Sequence, residues 1–379
     1  MANTPPNNEP RPVFDPRRGI VKIGAFSIFI IGAPVIFATR FGLEGLIIYI
    51  SLMALFRLLS SIVVSEIMKH NPTAGLRLYA RSPLLLVLSA AVPWANLPEE
   101  ALVLMTVFNG SYIGLFWTCH FGVNQYLGGT TEDYQFTEVV SSAVGAMLSV
   151  ALTIWGSVEL AVGVGGAFCL AGSMIPLGIE PGGFKKQLTN WSEEAVGRPV
   201  DEIQNGLTIV IATALVNFSS LTTLRIETLV GTSVIAGVVS LGIAIAGTEV
   251  FVYYGTRRVP LNDPGLRRVA FVVTTAGFVM MFIGSPAFVA AGYWLITTIS
   301  RSHYRVADRS LGRSALRGIG GRPGAREQLR YSVLLLLCPL LLIPDVLPLF
   351  GTIGAYLLLK SDFRSSDENG RNEDECERR

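Results

Sequence analysis

The chain has 379 residues, of which 50% are hydrophobic and 15% charged, with a formal net charge of +2. The apolar residues fall in long runs rather than in the periods of about 3.6 or 2.0 residues that are typical of a soluble core. The composition therefore excludes an ordinary soluble domain and predicts a membrane protein with several spans. Its four cysteines form no close pair, which argues against a disulfide framework and a cysteine-based metal site.

Twelve segments are predicted to cross the bilayer, on the basis that a membrane helix needs roughly 20 apolar residues. Residues 1–19 are polar and rich in proline, and are predicted to be a disordered cytoplasmic tail; residues 361–379 are predicted to be a second one. The predicted spans, in chain order, are 20–39, 44–68, 82–98, 100–123, 136–158, 160–179, 207–226, 229–254, 267–284, 286–301, 331–346 and 347–360.

The long polar interval 180–206 divides these spans into two sets of six. The sequence thus predicts an amino-terminal bundle over 20–179, a central cytoplasmic loop over 180–206 with a partly amphipathic pattern, and a second bundle over 207–360. The tripeptide Gly-Leu-Arg occurs before the third span and again before the ninth, at residues 75–77 and 265–267. This repeat at equivalent points indicates an internal duplication.

Basic residues are concentrated at the amino terminus and in every second loop, which predicts that both termini are cytoplasmic. The expected location is the plasma (inner) membrane. Only Arg40 and Arg225 lie at the opposite ends of spans. The basic residues on the predicted inner side are Arg11, Arg17, Arg18, Lys22, Lys69, Arg77, Arg81, Lys185, Lys186, Arg198, Arg257, Arg258, Arg267 and Arg268, with eight further arginines between 301 and 330.

This plan resembles the major facilitator superfamily over about residues 20–360. Locally, residues 114–120 (Gly-Leu-Phe-Trp-Thr-Cys-His) and 136–138 (Phe-Thr-Glu) are similar to the region of the fourth and fifth spans in some members. The family's loop motif after the second span is degraded here, with Glu66 and Arg77 at the places of its acid and its base. The resemblance implies an all-α membrane protein of about twelve transmembrane helices in two six-helix bundles, without a cofactor or metal.

Arg57 is the first candidate for a solute-binding residue, because it lies in the middle of the predicted second span. A charged side chain at that depth costs about 2.5–3.5 kcal/mol on insertion scales, and no Asp or Glu lies near the middle of any predicted span. Arg57 is therefore expected to face a central cavity and an anionic solute or a strong acceptor group. The alternative is a structural arginine bonded to helix carbonyls.

Asn109 and Asn217 lie within the fourth and seventh predicted spans and are candidates for binding a polar solute. Each could equally be a hydrogen bond between helices. The candidate gating and coupling residues are Glu66, Arg330, Glu249 and His120. Glu66 is expected to pair with Arg330 or Arg326 at the inner gate, because the resemblance implies that the second and eleventh spans meet.

Glu249 is a candidate carrier of a coupling proton or a partner of nearby arginines, and His120 is expected in the interfacial layer because Trp117 and Gln125 flank it. Glu138 is expected to be an anchor. The leading function is secondary active transport of a small, anionic solute by alternating access, with the lipid bilayer and a coupling proton as partners and without enzyme activity or nucleic-acid binding. Two alternatives are a non-transporting membrane scaffold derived from a transporter fold and an intramembrane lipid-linked transferase.

Overall fold

The computed structural model describes residues 14–126, 131–177, 200–219, 231, 233–256, 264–283, 285–311 and 325–360. These residues form helices joined by short connections, and no strand occurs among them. The α-helices are α1 Pro16–Ala25, α2 Ala33–His70, α3 Pro72–Arg81, α4 Pro83–Ala91, α5 Val103–Tyr126, α6 Thr131–Trp155, α7 Val158–Met174, α8 Val200–Ser219, α9 Val234–Thr256, α10 Pro264–Ile283, α11 Pro286–Leu311, α12 Ala325–Leu337 and α13 Leu347–Lys360.

Short helices of other types extend some of these elements. A π-helix, Phe26–Gly32, joins α1 to α2, and a 3₁₀-helix, Cys338–Leu342, continues α12. Within α2 the backbone turns at Gly42, which has φ 60° and ψ −149°. Only glycine adopts such angles without strain, so Gly42 separates the first predicted span from the second.

Helices overlap all the predicted spans, which confirms an all-α membrane protein. Five stretches of the described residues are long and apolar enough to cross a membrane, and the first of them, Pro16–His70, covers two predicted spans. Several other helices are apolar but shorter. The number twelve therefore stays a prediction.

The helix bounds differ from the predicted spans where polar residues begin a helix. The first helix starts at Pro16 and not at residue 20, because the Asp15 side chain accepts a hydrogen bond from the Arg18 backbone N–H at 3.2 Å and Pro16 suits the first helical position. Likewise α8 starts at Val200 and α12 at Ala325, each several residues before its predicted span. Most of the predicted central loop lies outside the described residues, as does the predicted tail 361–379.

Packing between helices repeats from the first half to the second. In the first half α1 packs on α6 and α7, α4 packs on α5 and α7, and α2 packs on α5. The second half repeats these contacts. There α8 packs on α12 and α13, α10 packs on α11 and α13, and α9 packs on α11. Between the halves, α2 packs on α12 and α6 packs on α9, which are again equivalent pairs. This pattern supports the predicted division into two bundles, whose boundaries stay a prediction.

Candidate functional site

Arg57 lies on the side of α2 that faces away from lipid. Successive residues of an α-helix are turned by about 100°, and Arg57 is on roughly the opposite side from Ile48, Leu59, Ile62 and Val63. Those four apolar side chains are between 42% and 56% exposed, which marks the lipid-facing side of the helix. The guanidinium is therefore directed into the protein.

Two glycines bring α5 against α2 at this depth. A Cβ atom at Gly114 would collide with the carbonyl oxygen of Arg57, and one at Gly110 would lie 2.9 Å from the carbonyl oxygen of Met53. Such close approach of two backbones is the usual role of small residues between membrane helices. Arg57 and the middle of α5 consequently share one level of the molecule.

Buried polar groups surround Arg57. Its Nη2 donates to Met53 Sδ at 3.2 Å, while its Nε is buried without a hydrogen-bond partner. Within the described residues Arg57 forms no ion pair and no hydrogen bond to a helix carbonyl. Tyr49 and Tyr331, which are 0% and 2% exposed, lie close enough to act on its charge. The arrangement differs from the structural alternative, in which carbonyls would satisfy the guanidinium.

Asn109 occupies the same level on α5 and is 0% exposed. Its side chain lies beside the Tyr49 hydroxyl, which itself donates to the Phe29 carbonyl at 3.1 Å. Neither Asn109 Nδ2 nor Oδ1 has a hydrogen-bond partner, and the hydroxyl of Thr106, one turn earlier on α5, has none either. Buried polar groups in native proteins are normally paired, so these atoms are typical of a site that a ligand completes.

The second half contributes the start of α12. Gln328 Nε2 donates to the Ser61 carbonyl of α2 at 3.2 Å, which fixes α12 one turn from Arg57. Glu327 is 2% exposed, lies 3.8 Å from Arg330 and acts electrostatically on Arg57. Glu327 was not among the residues predicted from the sequence, because the predicted eleventh span began only at residue 331. The i, i+3 spacing of Glu327 and Arg330 was the signal that could have extended the helix.

The predicted gate residues have partners on their own helices. Glu66 lies 3.7 Å from His70, and Arg330 lies 3.8 Å from Glu327. The helices that carry them, α2 and α12, are in contact. The cross-helix pair between Glu66 and Arg330 therefore stays a prediction. The side chain of the alternative partner, Arg326, lies outside the described residues. The side chain of Asn217 in α8, the second asparagine predicted to bind the solute, also lies outside them.

His120 is buried inside the amino-terminal half, and its expected place in the interfacial layer stays a prediction. It is 2% exposed, its Nδ1 lies 3.0 Å from the Tyr79 hydroxyl, and its ring stacks on Phe116 with the centroids 4.9 Å apart. Tyr79 of α3 and the rings of Phe116 and Trp117 on its own helix cover it, and the contact with Tyr79 was not indicated by the flanking sequence. Glu138 forms a 3.0 Å ion pair with Lys22, in agreement with an anchor.

Glu249, the other candidate for coupling, is 2% exposed on α9. No group of three or more His, Cys, Asp or Glu side chains in the described part of the chain could hold a metal ion.

On the predicted outer face, Arg40 lies 2.8 Å from Glu99 and 3.8 Å from Glu159. These three residues follow the first, third and fifth predicted spans, so the structure brings together the loops that the charge pattern assigns to one side.

No protein-family model matches the chain, and no curated protein sequence matches it either. Several solved structures, however, are similar to it. The nucleoside transporter NupG superposes with a TM-score of 0.62 at 10% identity, over 91% of this chain and 97% of that one. A D-xylose-proton symporter gives 0.62 at 12% identity, over 92% and 97%. The chain has the major facilitator fold.

The E. coli fucose:proton symporter FucP is also similar, with a TM-score of 0.53 and 10% identity over 92% of this chain and 96% of that one. The match in each case covers nearly the whole of both chains, so the resemblance inferred from the span pattern is confirmed for the fold. The contacts of α2 with α12 and of α6 with α9 join the two halves. Arg57 lies on one of these helices, beside the junction.

Proposed function

We propose that the chain is a secondary active transporter, located in the plasma (inner) membrane with both termini in the cytoplasm, that moves a small anionic solute by alternating access. The observation that carries this proposal is the placement of Arg57, a cation directed into the protein beside the junction of the two halves. The chain that holds it superposes on a nucleoside transporter and two sugar symporters over at least 91% of its length.

Arg57 is the proposed anchor for the solute's negative charge. Its Nε is buried without a hydrogen-bond partner, and a guanidinium matches a carboxylate or phosphate through two parallel hydrogen bonds. Because the head of Arg57 reaches back to Met53, next to the contact with Gly110, it ends at the level of Asn109. Asn109 therefore supplies the donor and acceptor for a second polar group of the same solute.

Proton coupling is the proposed energy source, because two carboxylates are buried within the described part: Glu249 on α9 and Glu327 on α12. Two of the similar structures are described as proton symporters, which supports the proposal without identifying the residue.

A ligand screen followed by transport tests the proposal. The purified full-length protein is heated in the presence of carboxylates, phosphates, sugars and nucleosides, because a ligand that binds only the folded state raises the unfolding temperature. A solute that does so is then tested for uptake into proteoliposomes with and without a proton gradient. A small anion that stabilises the protein and accumulates with the gradient supports the function.

The matched variants are Arg57→Lys, Arg57→Ala and, as a control, Arg40→Gln. Loss of a charge-assisted hydrogen bond costs about 1.5–3 kcal/mol, so Arg57→Ala should weaken solute binding by at least about tenfold, and Arg57→Lys should weaken it because an ammonium lacks the two-pronged geometry. Arg40 is exposed on the predicted outer face, and its replacement should leave binding unchanged. Normal transport by Arg57→Ala would overturn the anionic-solute assignment.

The ligand screen also separates the two alternative functions. Stabilisation of the protein by a donor lipid or a nucleotide alone would favour a transferase, and the absence of stabilisation by any ligand would favour a scaffold.

A further inference from the structure

A polar cleft lies at the predicted inner end of the amino-terminal half, between the start of α1, the junction of α3 and α4, and α5. It has a volume of about 30 Å³. Its polar lining consists of Asp15, Arg17, Arg18, Tyr79, Ser82 and His120. Six residues of α5 separate His120 from Gly114, which packs on Arg57, so at a rise of about 1.5 Å per residue the cleft lies about 9 Å from the level of Arg57 along that helix.

The cleft contains more positive than negative charge. Arg17 and Arg18 both line it, whereas Asp15 is its one acidic lining residue. The Asp15 carboxylate already accepts the backbone N–H of Arg18 as the cap of α1. Two further arginines of α3, Arg77 and Arg81, are exposed at the same end of the molecule and do not line the cleft. The local field therefore favours an anion.

Arg17 is held so that part of its guanidinium remains available. Its Nη2 donates to the Ala80 carbonyl, at the end of α3, at 2.7 Å. Its Nη1 is buried and has no hydrogen-bond partner. Arg18 is 7% exposed, which is unusual for an arginine at the polar end of a membrane helix, where the side chain normally reaches water. A fixed guanidinium with one unused amino group is a preformed donor.

From this geometry we infer a second binding site, separate from the solute site, in which Arg17 and Arg18 bind a phosphate group at the predicted inner end of α1. Guanidinium groups suit phosphate because their planar N–H donors match its oxygens. The phosphate belongs either to the headgroup of an anionic phospholipid or to free phosphate. Basic pockets between membrane helices on the cytoplasmic side bind lipid headgroups through the same chemistry.

The test uses the purified full-length protein in a neutral detergent at constant ionic strength. One arm adds sodium phosphate, with sodium chloride as its control; the other adds phosphatidylglycerol, with phosphatidylcholine as its control. The readout is the unfolding temperature as a function of ligand concentration, from which an apparent affinity follows. Stabilisation by phosphatidylglycerol alone identifies a lipid headgroup, and stabilisation by inorganic phosphate as well identifies free phosphate.

Arg17→Lys is the informative variant, because lysine can still donate to the Ala80 carbonyl and keeps the charge but lacks the second amino group. We expect it to weaken the apparent affinity by at least about threefold, and Arg17→Gln to weaken it by at least about tenfold. If Arg17→Gln fails to fold, the affinity of Arg17→Lys for phosphate still tests whether the Arg17 guanidinium binds it. Arg40→Gln should match the native protein.

Two results would overturn the site: no stabilisation of the native protein by either phosphate source, or an equal stabilisation of all variants, which would indicate nonspecific charge screening. Neither result bears on the transport proposal, which depends on Arg57.

Discussion

The side chain of Asn109 is fully buried, and neither its Nδ2 nor its Oδ1 has a partner in good hydrogen-bond geometry, although the Tyr49 hydroxyl lies beside it. A buried amide without partners loses its hydration and gains nothing in return, at a cost of about 1–3 kcal/mol. Ser61, farther along α2, shows the contrast, because it is equally buried but its hydroxyl lies 2.7 Å from Thr118 Oγ1. Residues that lower stability in this way are commonly retained for function.

Replacing Asn109 with alanine should separate stability from function. We expect Asn109→Ala to leave the free energy of unfolding unchanged or to raise it, because an unpaired polar group is removed, while solute binding falls by at least about tenfold. Ser61→Ala should lower the stability by about 0.5–1.5 kcal/mol through its lost hydrogen bond. Chemical denaturation and ligand titration measure the two quantities. A destabilised Asn109→Ala protein with normal binding would assign Asn109 to the helix interface.

Among the helices, the contact between α2 and α5 is the one that builds the candidate site. It places Arg57 and Asn109 at one level, and it depends on the missing side chains of Gly110 and Gly114. Gly247 of α9 differs, since a Cβ there would lie 3.7 Å from the nearest neighbouring atom, the Trp294 Nε1. The two kinds of glycine should respond oppositely to the same substitution.

Gly114→Ala should force α2 and α5 apart, because the new methyl group collides with backbone and not with a flexible side chain. Overpacking of this kind costs about 1–3 kcal/mol. Gly247→Ala should be neutral or stabilising by up to about 1 kcal/mol, since alanine restricts the unfolded chain. Thermal unfolding of both variants provides the comparison. Equal stability of the two would mean that the helices are not in close contact.

The sequence predicted the helices better than their contacts. Long apolar runs indicate membrane helices directly, but polar residues at a helix start do not, so Asp15 and Glu327 were left outside the helices that they begin or belong to. The depth of Arg57 could be predicted from its position in the run. That Asn109 lies beside it could not, because the pairing depends on which helix the glycines of α5 approach. The burial of His120 likewise depends on Tyr79, which is 41 residues away.

For the whole molecule, the orientation in the membrane rests on charge. We expect a cysteine introduced by Glu99→Cys to react with an impermeant thiol reagent from outside the cell, and one introduced by Lys69→Cys to react only after permeabilisation, because positive charge is retained in the cytoplasm. Both positions are exposed. The native Cys119, Cys169 and Cys338 are buried and should give little background. Reaction of Lys69→Cys in intact cells would show that the predicted orientation in the membrane is wrong.

The contact between α2 and α12 should move during transport. Gln328 donates to the Ser61 carbonyl across it, so Ser61→Cys combined with Gln328→Cys places two thiols on facing helices. We expect a short bifunctional thiol reagent to link them and to stop uptake, and a reagent with a cleavable disulfide to restore uptake after reduction. Either single variant treated alike is the control. Unchanged uptake by the linked protein would contradict alternating access at this contact.

Because the backbones of α2 and α5 touch at Gly114, Arg57 and Asn109 belong to one rigid unit. In the proposed cycle a bound solute would keep these two contacts in the outward-facing and the inward-facing state alike. A ligand held equally in both states cannot shift the balance between them, however tightly it binds. The thermodynamic preference of the loaded carrier for one state must then come from the opposite half, from which α12 contributes the buried side chains of Tyr331 and Glu327 near Arg57.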